Sequence, residues 1–137
     1  MTERVFIDTN VFVYADDESA KTKRARARKV LSELIRNRRA VVSTQIMQEY
    51  YAAAIKKLRL PPEKARSRVE RLNRLDTVVI RPAIILGAID LHRLHSLSFW
   101  DALVVKSASI AGCARVLSED LADGQVIDGV KIENPFS

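Results

Sequence analysis

Short, nearly continuous apolar runs alternate along the chain with longer segments in which apolar residues recur every three or four positions. The runs are Val5-Phe6-Ile7, Ala40-Val41-Val42, Thr77-Val78-Val79-Ile80 and Arg115-Val116-Leu117. Apolar residues at consecutive positions, rather than alternate ones, describe strands buried on both faces of a sheet. The segments between them have helical spacing. A short helix is predicted from about Asn10 to Ala15, and a longer one from Ser19 to Arg38 with Val30, Leu31, Leu34 and Ile35 on an otherwise basic segment. Thr44 is expected to cap a helix running to about Leu58, whose core face is Ile46, Met47, Tyr50, Tyr51 and Ala54. Pro61-Pro62 interrupts the chain, and a proline in the first turn suits a helix reaching about Leu75. Pro82 opens another that ends near His95. Ser98 starts a helix over Phe99 to Ile110, with Gly112 as a left-handed cap beyond it. In the tail, Asp123-Gly124 and Asp128-Gly129 are turn signals around Val126-Ile127, and Val130-Lys131-Ile132 is a last short strand. Strands that alternate with helices predict a mainly parallel sheet covered on both faces. The expected fold is α/β, a three-layer α/β/α domain around a short central sheet.

Length and composition add one domain, residues 1–137. A chain of 137 residues has the common size of a single domain, and 47% hydrophobic with 29% charged residues is a globular rather than a disordered balance. No charged-then-apolar leader precedes Val5, and no apolar run approaches the ~20 residues of a membrane span. The expectation is a cytoplasmic protein with no membrane partner. The single cysteine, Cys113, cannot close an internal disulfide or build a thiolate cage, and its place after Gly112 suits a buried, inert thiol. The formal net charge of +6 favours polyanionic partners. Its distribution is uneven: Lys21, Lys23, Arg24, Arg26, Arg28 and Lys29 crowd one segment. A solvated helix face explains that run as well as nucleic-acid contact does.

The acids carry the chemistry. Asp8 ends the first strand, where ligands bind in open α/β sheets. It could instead cap the following helix, a task Asn10 can take over and so leave Asp8 free. Glu119 and Asp120 directly follow the strand ending at Leu117. Asp120 is the candidate ligand and Glu119 its rival, because register in such a turn is uncertain by one residue. Glu49 lies one turn beyond Thr44, near the end of the second strand, although a solvent-facing position is the ordinary expectation for a helical Glu. Asp101 completes the capping-box pattern Ser98-Phe99-Trp100-Asp101, which by itself accounts for an acid there. Trp100 fits a core position better than a nucleobase platform. His92 and His95 share a helix face but lack a third soft ligand.

No single acid decides the matter; their joint order does. Clustered carboxylates repel one another, so a fold tolerates them best around a cation or protons. Oxygen-only donors select Mg²⁺ or Mn²⁺ over zinc, and such ions activate water against a phosphodiester. Basic flanks such as Lys21, Lys23, Arg24 and Arg28 would hold the phosphates that an acidic pocket repels.

The chain resembles PIN-domain proteins, specifically VapC-type toxins. The resemblance runs from Phe6-Ile7-Asp8-Thr9-Asn10 through Glu49 after Thr44-Gln45 and Phe99-Trp100-Asp101-Ala102-Leu103. It closes on Leu117-Ser118-Glu119-Asp120-Leu121 and the tail Asp123 to Gly129. It implies a metal-dependent endoribonuclease, with Asp8, Glu49, Asp101 and Asp120 as the acidic quartet and Thr9 or Asn10, and Ser118, in support. The family often has Thr-x-Asp in the fourth motif where this chain has Ser118-Glu119-Asp120. The resemblance further implies a homodimer and a cognate antitoxin that blocks the site. Hydrolysis would leave a 5′-phosphate and a 3′-hydroxyl. The competing expectation is a catalytically silent PIN fold that binds nucleic acid or protein. A phosphatase would want a second Asp at position 10, where Asn10 stands, and no glycine-rich loop follows Asp8.

Overall fold

The computed structural model describes residues 3–137. Its six strands form one sheet: β1 (Val5–Ile7), β2 (Ala40–Ser43), β3 (Asp76–Val78), β4 (Arg115–Leu117), β5 (Val126–Ile127) and β6 (Val130–Glu133). The spatial order is β3-β2-β1-β4-β6-β5, parallel throughout except for the antiparallel β5–β6 pair. β1 lies in the middle, with Val5 opposite Ala40 on one side and Arg115 on the other. Every residue of β1 and β2 is buried, as their continuous apolar runs require; β3, at the edge, is not. Fully buried residues such as Phe6, Ile7 and Val42 each stabilise the fold by about 1.5–3 kcal/mol.

Among the described residues six helices cover the sheet: α1 (Thr9–Ala15), α2 (Lys21–Arg36), α3 (Thr44–Lys56), α4 (Pro62–Leu72), α5 (Pro82–Leu94) and α6 (Phe99–Ile110). The chain moves outward from β1 to β2 and β3, then returns past β1 to β4. Crossovers between parallel strands are right-handed, so this reversal puts α5 and α6 on the face opposite the earlier helices. The contacts follow: α1 packs on α2 and α3, and α3 on α4, whereas α5 and α6 pack on each other and α6 meets β4 and β6. The result is the expected three-layer α/β/α arrangement. At Gly87 in α5 an added Cβ would stand 2.5 Å from Cε of Lys106, so the missing side chain leaves room for the Lys106 stem of α6.

Several local expectations shift. The cap of α3 is Ser43, not Thr44: the Ser43 hydroxyl accepts from the Ile46 amide (3.4 Å), while Thr44 Oγ1 accepts from the Ile80 amide (3.2 Å). Arg74 and Leu75 lie beyond the end of α4, and Val79 and Ile80 lie outside β3, which starts at Asp76 instead. Tyr51 is 40% exposed and does not belong to the core face of α3; Ile35 is exposed as well. Cys113 is buried, and burial pushes its thiol up to about 11, the inert state expected. Among the described residues no helix is long and apolar enough to cross a membrane.

Candidate functional site

The order of the sheet reverses at β1, and the carboxyl ends of β1 and β4 meet there. Two backbone bonds continue the ladders past the strands: the Asp8 amide donates to the Leu117 carbonyl (3.0 Å) and the Ser118 amide to the Glu133 carbonyl (3.0 Å). They set Asp8 beside Ser118. The Ser118 hydroxyl donates to Asp8 Oδ2 at 2.7 Å, and the Thr9 amide donates to Asp8 Oδ1 at 2.8 Å. Asp8 is therefore itself the N-cap of α1, with extended backbone angles, and Asn10 does not replace it. α1 begins one residue earlier than expected, which places Asn10 inside the first turn and sends its side chain across to β4. The Asn10 amide group reaches Asp120 Oδ2 (3.2 Å), Ser118 Oγ (3.3 Å) and Asp8 Oδ2 (3.5 Å), while its carbonyl accepts from the Glu119 amide (3.2 Å). Ser118 Oγ also accepts from the Asp120 amide (3.2 Å).

The third acid joins through Thr9. Its hydroxyl donates to Glu49 Oε1 at 2.7 Å, and Gln45, one turn earlier on α3, donates to Glu49 Oε2 at 3.1 Å. The same Gln45 amide donates to the Trp100 carbonyl at 3.2 Å, in the first turn of α6 next to Asp101. Asp101 is half-buried. Its amide donates to Ser98 Oγ (3.1 Å), which is half of a capping box. The reciprocal bond is missing among the described residues, and the Asp101 carboxylate has neither a hydrogen-bond nor an ion-pair partner there.

Burial pushes the Asp8 carboxyl up from 3.8 to about 6, and the negative charges of Glu49 and Asp120 push the same way; the Ser118 and Thr9 bonds oppose them. The donors of Asp8, Glu49, Asp101 and Asp120 are all oxygens. Among the described residues no three His, Cys, Asp or Glu side chains stand close enough in this conformation to hold one ion together. The set still suits Mg²⁺, which is ordinarily held by one or two carboxylates while waters and substrate phosphate complete its shell. A buried carboxylate repelled by two others is a place where a cation relieves charge.

Glu119 and Asp120 part company. Tyr14 Oη donates to Glu119 Oε1 (2.7 Å), and Lys23 forms an ion pair with the same carboxylate. Burial would raise the Glu119 carboxyl, but the hydrogen bonds from Lys23 and Tyr14 together hold it below the usual range. Only Asp120 turns to the Asp8 cluster. The Tyr14 ring also meets Phe136 edge-on, with centroids 4.9 Å apart, which ties the tail to α1.

The basic candidates divide too. Lys23 is engaged by Glu119 and Tyr14, and Arg28 Nε donates to the Ala15 carbonyl (2.7 Å), closing the end of α1. Lys21 is exposed at the start of α2, and Arg24 is half-buried with an Nε that lacks a partner among the described residues. Trp100 is 61% exposed and is not a core residue. His92 Nδ1 lies 2.6 Å from the Leu97 carbonyl and His95 has left the helix with extended angles, so the two share no face.

Sequence reasoning passed over Gln45 and Tyr14. Gln45 had one signal, its place four residues before Glu49 on the same helix face. Tyr14 had none, since its partner lies 105 residues away. A cleft of about 720 Å³ between α1, α2, α3 and α4 was also unforeseen. Phe12, Leu31 and Leu72 are among the residues of its floor, and Arg38, Arg71 and Arg74 stand at its rim.

The family profile described as PIN domain matches residues 5–122. No curated protein is matched by the chain's sequence. The fold is similar to the DNA-bound VapBC complex of Salmonella typhimurium, with a TM-score of 0.71 at 19% identity over 98% of this chain and 99% of that one. It is also similar to VapBC2 of Rickettsia felis bound to a promoter DNA fragment (0.69, 17%, 95% and 97%). A third similar structure is the sarcin-ricin-loop-cleaving toxin VapC20 of Mycobacterium tuberculosis (0.61, 12%, 82% and 86%).

Proposed function

The chain belongs to the PIN domain family, and on that footing we propose that it is a Mg²⁺- or Mn²⁺-dependent endoribonuclease acting as the toxin of a toxin–antitoxin pair. The observation that carries the reading is the linkage of Asp8, Glu49 and Asp120 through Thr9, Asn10 and Ser118, with the carboxylate of Asp101, which has no partner among the described residues, at the adjoining helix start. Asp8 and Asp101, with Glu49 and Asp120, would hold a divalent ion, which would supply positive charge against the phosphodiester and a more acidic bound water for hydrolysis. The chain's own part is arrangement. Ser118 and the Thr9 amide hold both oxygens of Asp8, so that carboxylate is presented without rearrangement. Asn10 keeps Asp120 turned inward, and Lys23 with Tyr14 keeps Glu119 out of the cluster. The products are a 5′-phosphate and a 3′-hydroxyl.

The test is incubation of the purified protein with mixed structured RNAs in Mg²⁺ or Mn²⁺ and in EDTA. Cleavage is expected only with metal. It should vanish in Asp8→Ala and Asp120→Asn and persist in Glu119→Gln. Cleavage in EDTA or by Asp8→Ala would sink the reading, and folding without cleavage of any RNA would favour a binding role.

The similar VapBC structures are toxin–antitoxin complexes, and an antitoxin partner is part of the proposal. The arginine-rimmed cleft is the surface whose chemistry suits it. An apolar floor with Arg38, Arg71 and Arg74 at the rim matches an amphipathic segment that carries acidic residues. Self-association would use the exposed apolar stripe Ile85, Leu86 and Ile89 of α5.

A further inference from the structure

Gln45 is 5% exposed, and both hydrogens of its amide are committed: one toward Glu49 Oε2 (3.1 Å), the other toward the Trp100 carbonyl (3.2 Å). Its own carbonyl oxygen, Oε1, is buried and accepts no hydrogen bond among the described residues. An unsatisfied buried acceptor is a cost that a leucine or methionine of similar size would not carry. Neither helix needs this side chain in order to form. α3 is capped by Ser43 and α6 by Ser98. What Gln45 alone does is join them at one point. With the Thr9 hydroxyl on Glu49 Oε1 (2.7 Å), a continuous line runs from Thr9, the neighbour of Asp8, through Glu49 and Gln45 to Trp100, the neighbour of Asp101.

We propose that Gln45 is a positioning residue of this site, whose amide holds the Glu49 carboxylate in a fixed orientation and at a fixed distance from the start of the helix that carries Asp101. The inference rests on the metal-dependent reading of the site. Without Gln45, Glu49 keeps only its Thr9 bond, and its carboxylate rotates about the bond to its own side chain. α6 then loses its side-chain hydrogen bond to α3 at the Trp100 carbonyl. The partners that orient a metal-binding carboxylate affect affinity or activity by about 10–100-fold, and that is the size of the effect expected here.

The experiment is titration with Mn²⁺ alone, followed by calorimetry and by the electron paramagnetic resonance of free Mn²⁺, on wild type, Gln45→Leu, Glu49→Ala and the double variant. Gln45→Leu should bind Mn²⁺ about 10-fold more weakly than wild type or worse. In the Glu49→Ala background the same change should cost clearly less than in wild type, because the part of its effect that runs through Glu49 is already gone. A packing role would instead weaken both backgrounds alike. Gln45→Met keeps the length of the side chain but removes the donor. It should lose about as much affinity as Gln45→Leu, and it serves in its place if circular dichroism shows that variant unfolded. Equal Mn²⁺ binding by wild type and the Gln45 variants, or losses that add in the double variant, would overturn the positioning role alone. Wild-type protein that takes up no Mn²⁺ would overturn the metal-site reading and this inference with it.

Discussion

Asp8 is a carboxylate placed where its charge is expensive. With burial and two acidic neighbours its carboxyl titrates near 6 instead of 3.8, so the folded protein holds a proton there that the unfolded chain has already released. The sign follows from linkage. Protonated Asp8 contributes stability that is fully present below about 3.8 and is lost as pH rises through about 6. A shift of this size corresponds to up to about 3 kcal/mol. Metal-free protein should therefore show a urea midpoint that falls between about pH 4.5 and 6.5 and levels off above it, and Asp8→Asn should flatten that slope; an equal slope in the variant would place its origin elsewhere. Glu119 acts in the opposite sense. Its carboxyl is held low, so its contribution fades on acidification, which is why the comparison with Asp8→Asn isolates the buried group. Asp8 was legible as a candidate in the sequence because it follows an apolar run directly, and the strand ending at Leu117 pointed to the Glu119-Asp120 pair. The partition between Glu119 and Asp120 was not. It depends on Tyr14 and Lys23, 105 and 96 residues away, which the fold brings to one member of the pair.

At the scale of elements, local chemistry spoke most clearly where a backbone angle demanded it. Asp128 and Gly129 join β5 to β6 with φ of 52° and 79°, the two left-handed residues of a tight hairpin, and Gly112 follows α6 at 72°. Gly129→Val should cost about 2 kcal/mol, since a β-branched residue pays the left-handed penalty in full, and chemical denaturation would measure it. A stability change within a few tenths of that of wild type would mean that the turn has another way to close. The β-run and helix periodicities located the six helices and every strand except β5, whose Val126-Ile127 was read only as lying between turns, and the other errors fell at the ends. Ser43 rather than Thr44 caps α3, and Asp8 rather than Asn10 caps α1. Neighbouring hydroxyl, amide and carboxylate residues compete for one cap, and the strand that precedes the helix decides which of them has extended angles.

For the whole molecule the arginine-rimmed cleft makes the sharpest prediction. Arg71→Glu with Arg74→Glu reverses charge at its rim while leaving Asp8, Glu49, Asp101 and Asp120 untouched. The double variant should bind a co-expressed antitoxin more weakly and still cleave RNA, as pull-down and cleavage assays would report. Undiminished binding would move the partner to another surface. Four helices build that cleft, and its arginines come from α4 and from the turns after α2 and α4. No window of sequence contains it. Trp100 teaches the same lesson in reverse: beside the apolar residues of α6 it reads as core, yet in the folded protein it is 61% exposed. By itself the sequence determined the α/β order, the acids that follow strands and the turns that need glycine, because each is set by residues within a few positions. Tertiary structure alone decided which carboxylate faces Asp8, which amide joins Glu49 to α6 and where the arginines gather. Those outcomes depend on sheet order and helix packing, which bring together side chains that local spacing cannot relate.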